Sequence, residues 1–504
     1  MKQLRYVATT LLIAACPTTP GETTVGTETG SADETTSDPT NSDVTQSTPA
    51  EPTTGNDEST STGTPDSESM SGPGTEPETS SSTGPAPECR VDGDCGDPKP
   101  FCVDGTCDTC LGAANPDEAC SELSAGDLPA CGGDGVCHEC KVDGGQCTGT
   151  TPVCDEDLLE CVGCSEHAHC PDSACDLEAG VCADVNYVLY VDRVAPDCMA
   201  GDGTQGLPYC KISDAIARAA MDTAPAWTIK VKAGNYLEEP LVIPNDAKIT
   251  MIGWDGTPKL RAFDDSGPTL MISGGANVYL GHIQFQSNDF AQGVKCEGAT
   301  VHADDTGFLK NTREGYLSTD CTSTFNRSVF HDNDGGGIAS YGVGTTTIVN
   351  SYVTGNGSQN FGDFGGIRTA QENELHLIYS TVLNNLSMSG PRSLECKPDA
   401  FPAEIRNSVI IAFAAPSVDC AAGNFTNSVL DEGSTAPDIL VATMADIGNF
   451  FEPMVQGVYK AKPDTLMKDV AMWADGDPKR DYDGQKRPNT AGDLDWPGAD
   501  IPAE

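Results

Sequence analysis

From residue 227 onward the chain alternates apolar and polar positions in runs too short for helices. Trp227-Thr228-Ile229-Lys230-Val231-Lys232 puts apolar side chains on one side and polar ones on the other, as do Lys248-Ile249-Thr250-Met251 and Val278-Tyr279-Leu280. A period of two marks strands with one buried face. Gly, Asn and Asp separate the runs and predict turns. A longer pattern overlies the short one: an apolar residue, then Asn or Ser, then another apolar residue. It reads Phe325-Asn326-Arg327-Ser328-Val329-Phe330, Ile348-Val349-Asn350-Ser351-Tyr352-Val353 and Leu377-Ile378-Tyr379-Ser380-Thr381-Val382. Ile405-Arg406-Asn407-Ser408-Val409-Ile410 and Phe425-Thr426-Asn427-Ser428-Val429-Leu430 continue it, with spacings of 20–29 residues. An apolar-x-x-Asn element follows three copies, at Phe330 to Asn333, Val353 to Asn356 and Val382 to Asn385, and Gly-Gly-Ile recurs at Gly336 and Gly365. Units of this length that cannot bury a face alone must stack, so the pattern predicts a β-solenoid with asparagines hydrogen-bonded up one turn.

Cysteine spacing sharpens the picture. Cys296 and Cys321 are 25 residues apart, and Cys396 and Cys420 are 24 apart. If one coil is one rung, each pair lies about 4.8 Å apart in space, close enough for a disulfide. Cys198 and Cys210 are left to pair locally. The other cysteines crowd into residues 89–185, where 16 of the chain's 23 fall into four groups of four. The groups are Cys89, Cys95, Cys102, Cys107; Cys110, Cys120, Cys131, Cys137; Cys140, Cys147, Cys154, Cys161; and Cys164, Cys170, Cys175, Cys182. Gly, Asp and Pro fill the gaps, so this segment needs covalent staples to hold a fold. The Cys-x-x-Cys steps also fit zinc, with His138, His167 or His169, or redox thiols. So many cysteines suit an oxidising compartment and disulfides, whose connectivity spacing alone does not give.

The first 88 residues change the reading again. Lys2 and Arg5 precede a short apolar run, Tyr6 to Ala15, and Ile13-Ala14-Ala15-Cys16 resembles a bacterial lipobox. It implies a cleaved leader 1–15 and a lipidated Cys16 as the mature N-terminus, and removing Cys16 leaves an even 22 cysteines. Two acyl chains would hold the protein to a membrane where one would not. Residues 16–88 are rich in Thr, Ser, Gly, Pro and Glu, a composition that predicts a disordered tether with a reach of roughly 50 Å. The net charge of −48 argues against nucleic acid as a partner and against adsorption to anionic lipid by charge. The expected location is the bacterial cell envelope, at the outer membrane.

The cysteine groups resemble the cysteine-rich modules, loosely Dickkopf-like, common in myxobacterial lipoproteins, on Cys89, Asp92, Asp94, Cys95, Pro100, Cys102, Gly105 and Cys107. Residues 186–504 resemble the pectin-lyase-like right-handed parallel β-helix family, a single-stranded solenoid. The resemblance rests on Gly203-Thr204, Pro208-Tyr209, a short helix through Ile212 and Ala215-Ile216, and then Ile229, Val231, Gly234 and Tyr236. Asp481 to Pro488 resembles the closing motif of β-helix proteins with a choice-of-anchor ending, although Asp495 to Asp500 carries one residue more than that motif. The resemblance implies a β-helix over 186–440 and a cap over 441–504, and allows polysaccharide lyases, glycoside hydrolases, adhesins and surface proteins. The carboxylates available for hydrolysis are Asp304, Asp305, Asp320, Asp332 and Asp334, which could share one face. Asp304 and Asp305, as strand neighbours, should point to opposite sides. Arg313 and Arg368 are available as bases, and His331 reads as a turn residue. The family's hydrolase signatures are only echoed, at Ser318-Thr319-Asp320 and Gly281-His282-Ile283. No cofactor motif or metal-spaced histidine pair appears, so no catalytic residue, metal or cofactor is assigned. The expectation is a surface protein that binds a polysaccharide or another surface protein; the alternative is a polysaccharide lyase or inverting glycoside hydrolase.

Overall fold

The structure is a computed structural model. It describes residues 88–503, except 97, 105, 143, 178, 223–225, 264–266, 288–290, 359–361, 363, 389–392, 413–416 and 432–437. The leader 1–15, Cys16 and the tether to residue 87 lie outside the described residues. Among the described residues no helix is long and apolar enough to cross a membrane.

Short strands with period-two burial wind into a right-handed solenoid of about eight turns with three parallel sheets. The first sheet runs from Val188–Val191 through Trp227–Lys232 and Thr300–Asp304 to Gly423–Thr426. The second runs from Asn235–Glu238 to Ile439–Val441, and the third from Leu241–Ile243 to Val418–Asp419. Inward positions of all three sheets merge into one apolar column. Ile229, Met251, Leu280, Ala303, Phe325, Ile348, Leu377 and Ile405 stack at one register position. Helix Ile212–Ala220 covers the N-terminal end of that column and buries Ile212, Ala215, Ile216 and Ala219.

The long repeat explains the corners. Between the first and second sheets a single residue turns the chain in the left-handed region: His282, Asp305, Arg327, Asn350, Tyr379, Asn407 and Asn427. The buried hydroxyl residue after it forms a ladder. Ser328 N donates to Ser351 Oγ (3.0 Å), Ser351 N to Ser380 Oγ (3.3 Å), Ser380 N to Ser408 Oγ (3.1 Å) and Ser408 N to Ser428 Oγ (3.1 Å). At the next corner Asn311, Asn333, Asn356 and Asn385 stack as expected. Each side-chain amide donates to the next one's Oδ1, at 2.7, 2.7 and 3.0 Å. These ladders satisfy backbone donors that no strand partner reaches.

The four cysteine groups are four modules, each paired first to third and second to fourth: Cys89–Cys102 and Cys95–Cys107, Cys110–Cys131 and Cys120–Cys137, Cys140–Cys154 and Cys147–Cys161, Cys164–Cys175 and Cys170–Cys182. The third and fourth cysteines of each face one another across a two-stranded antiparallel hairpin. Every sulfur close enough to its neighbours to suggest a metal site is already in a disulfide. His138 pairs with Asp134 and His169 with Glu166 instead.

In the β-helix Cys198 is joined to Cys210, Cys296 to Cys321 and Cys396 to Cys420. The Cys396 and Cys420 Cα atoms are 4.5 Å apart, the spacing of adjacent rungs. Cys296 and Cys321 differ from the simple one-rung picture. Ser318, not Cys321, lies beside Cys296 in register, and the bridge runs diagonally across the corner with Cα atoms 6.4 Å apart.

Residues beyond Val441 pack over the outer face of the second sheet. That face is itself apolar, with Val329, Tyr352, Leu383, Val409, Ile411 and Val429, and the cap lays Phe450, Phe451, Tyr459, Met467 and Ala499 on it.

Candidate functional site

The five aspartates do not share a face. Asp304 ends a first-sheet strand and Asp305 turns out of it, Asp332 and Asp334 lie at the corner between the second and third sheets, and Asp320 turns from the third sheet back to the first. Asp320 Oδ1 accepts from Val343 N (2.9 Å), and Asp332 pairs with His331 (3.3 Å). His331 is a strand residue, not a turn residue. It ends Val329–His331, is buried, and its Nδ1 lies 2.8 Å from Thr354 O. Arg313 pairs with its neighbour Glu314, and Arg368 is buried against Glu395.

Asp304 and Asp305 do not point apart. Asp305 has φ +48°, and this left-handed turn ends the strand alternation at Asp304. Both carboxylates therefore reach Arg327 on the next coil. Arg327 Nη2 lies 2.8 Å from Asp304 Oδ2 and 3.0 Å from Asp305 Oδ2, and its Nε donates to Asp305 Oδ1 at 3.3 Å. Glu166 of the fourth cysteine module approaches the same guanidinium at 3.6 Å. Asn326 donates to Asp304 Oδ1 at 2.9 Å. Burial pushes Asp304 up to about 7 against the pull of Arg327, which it shares with Asp305 and Glu166. Beside the cluster a cleft of about 290 Å³ is lined by His282, Gln284, Asp305, Arg327, Gln456 and Tyr482.

A second, larger cleft of about 710 Å³ opens where the fourth cysteine module overhangs the first sheet. Its floor is the outward row Thr228, Thr250, Tyr279 and His302, neighbours on successive coils, flanked by Lys248 and Asn277. The Tyr279 and His302 rings stack with centroids 6.1 Å apart and planes 15° apart. Its roof is Leu177, Val181, Asp176 and Asp184. Three contacts seat the roof. The His167 and Tyr279 rings meet at right angles with centroids 4.1 Å apart, Lys230 Nζ donates to Pro171 O, and Glu166 reaches Arg327. Burial holds His167 down at about 4 and lowers Lys230, while it raises the Tyr279 phenol far above its usual range. Sequence reasoning gave no role to Arg327, Tyr279 or His302. The signal was present only for Arg327 and Tyr379, large residues where the repeat otherwise favours Asn.

This arrangement is a right-handed parallel β-helix carrying a disulfide-stapled N-terminal region. Residues 257–388 match the family model described as right handed beta helix region, and residues 75–188 match one described as a family of unknown function, DUF8331. No curated protein is significantly similar to the chain. Among solved structures it is similar to pectate lyase Pel9A, at 13% identity over 62% of this chain and 95% of that one, with a TM-score of 0.41. It is similar to an alginate lyase from Paenibacillus sp. str. FPU-7 at 14% identity, covering 47% of this chain and 90% of that one, TM-score 0.29. A rhamnogalacturonan lyase follows at 11% identity, covering 55% and 97%, TM-score 0.28.

Proposed function

We propose that the chain is an exported, lipid-anchored cell-envelope protein that holds a polysaccharide on its β-helix without cutting it. One observation carries this reading. Asp304 and Asp305, the carboxylates that the fold converges beside a cleft, are both spent on Arg327. Hydrolysis needs one carboxyl group free to donate a proton and a second free to act on water or the sugar. Two carboxylates bridged by one guanidinium are not free to flank a substrate. The outward row of the first sheet instead offers Thr250, Tyr279, His302, Thr324, Thr347 and His376, groups that hydrogen-bond or stack on sugars.

A polysaccharide lyase or hydrolase is the second reading, favoured by the upward shift of Asp304, whose neighbour Asp305 lines the cleft of His282 and Tyr482. Incubating the purified chain with neutral and acidic polysaccharides, with and without Ca²⁺, separates the two. The binding reading expects co-sedimentation with insoluble polysaccharide and no new reducing ends or unsaturated products. Products abolished by Asp305→Asn would establish the enzyme instead. Cys16→Ser tests the anchor: the variant should leave the membrane fraction.

A further inference from the structure

We propose that the cleft beneath the fourth cysteine module binds an uncharged oligosaccharide, with a sugar ring lying against Tyr279 and His302. The inference deepens the polysaccharide-binding reading and rests on it. At about 710 Å³ the cleft falls within the size of a small-molecule site. Its floor joins two kinds of recognition that sugars need. The aromatic pair of Tyr279 and His302 offers flat apolar surface to the C–H face of a pyranose. Thr250 and Asn277 beside it offer hydroxyl and amide groups to the ring's hydroxyls. The Tyr279 hydroxyl adds a group that can donate or accept.

The walls are fixed before any ligand arrives. Two disulfides close the fourth module, and His167 and Lys230 seat it on the sheet. A preformed cleft loses less ordering entropy on binding. Charge selects the class. Asp176 and Asp184 stand on the roof, and Lys248 is the one lysine or arginine among the described lining residues, in a chain of net charge −48. A uronate-rich chain would be repelled, whereas a neutral one would not.

Calorimetry on the full chain tests this with cellohexaose, laminarihexaose and mannohexaose, and with hexagalacturonate as the anionic comparator. At least one neutral hexaose should bind, and hexagalacturonate should bind about tenfold more weakly or not at all. His302→Thr, which installs the residue that the next coil carries at this position, should weaken binding about tenfold. Tyr279→Leu should do the same; if it loosens the module, His302→Thr still decides. Leu466→Ser, exposed in the C-terminal cap and outside both this row and the cleft, should change affinity by less than about twofold. A neutral hexaose that binds His302→Thr as tightly as the parent would overturn the cleft and leave polysaccharide binding standing. So would failure of every hexaose to bind while insoluble polysaccharide still co-sediments. Failure of both assays would remove the two readings together, and tighter binding of hexagalacturonate would overturn the uncharged class.

Discussion

Asp304 illustrates how one buried side chain sets a pH dependence. Its folded-state value of about 7 stands above the ordinary 3.8, so between those values the folded protein keeps a proton that the unfolded chain has released. The stability from this group is fully present below about pH 4 and is lost as the pH rises through 7. At its steepest the loss is about 1.4 kcal/mol per pH unit for one proton. Asp500, raised to about 7 by burial and by Asp481 and Asp483, works in the same direction. Asp304→Asn keeps the shape and removes the titration, while Arg327 retains Asp305 and Glu166. The variant should therefore gain stability relative to the parent as pH rises from 5 to 8, read as the shift in urea midpoint. An equal change at both pH values would mean that Asp304 is ionised throughout. The same corner shows what side-chain choice costs. Left-handed backbone is strained for bulky residues, yet Arg327 and Tyr379 occupy positions that Asn fills at 350, 407 and 427. Both earn that strain through contacts Asn could not make, Arg327 with three carboxylates and Tyr379 with Arg487 over its ring at 4.0 Å.

At the scale of the coil, the ladders turn a repeated residue into continuous hydrogen bonding. Asn333 receives from Asn311, gives to Asn356 at 2.7 Å and donates to Phe308 O at 2.8 Å, all out of water. Asn333→Ala removes these partners and strands neighbouring polar groups, each costing about 1–3 kcal/mol. A total loss of about 2–4 kcal/mol with an unchanged m-value is expected from urea unfolding. A loss under about 1 kcal/mol would show that the ladder is ornamental. Cys396 and Cys420 close a 24-residue separation, and replacing both with Ala should cost about 3 kcal/mol in the chain-entropy model. Non-reducing peptide maps that find either cysteine free would remove that expectation. These elements were legible in the sequence because the asparagines and serines recur in fixed relation to the strand residues. The diagonal path of Cys296–Cys321 was not. Spacing counts residues per coil, whereas the corner at Asp320 and Cys321 sets where the chain turns. The convergence of Asp304 and Asp305 was hidden for the same reason. Period-two alternation assumes the strand continues, and here it stops at the left-handed residue.

Across the whole molecule, sequence patterning shows strands and staples but not which outer face of the solenoid is covered. The larger cleft depends on a fold-back contact between residues more than a hundred positions apart, His167 against Tyr279, that no local period announces. The second sheet poses the corresponding problem at its outer face. Tyr352, Leu383, Val409 and Ile411 would lie open to water without the cap. Arg487 is the cap's central fastener. Its fully buried guanidinium pairs with Asp495 at 3.0 Å, donates to the carbonyl oxygens of Trp496 and Gly498, and lies over Tyr379 at 4.0 Å. Asn350 and Asn407, at the left-handed corner, donate to the carbonyls of Arg480 and Met472 in the same segment. Arg487→Met fills much of the volume but leaves Asp495 buried without its cation, and breaking such a pair costs about 3–5 kcal/mol. The loss should fall on the cap rather than on the coils, because neither coil ladder contains a residue that Arg487 holds. Hydrogen exchange should then show faster exchange over residues 442–503 while the serine and asparagine ladders keep their protection, and a hydrophobic dye should bind the uncovered second sheet. Equal loss of protection in cap and coils would show instead that the two unfold as one unit.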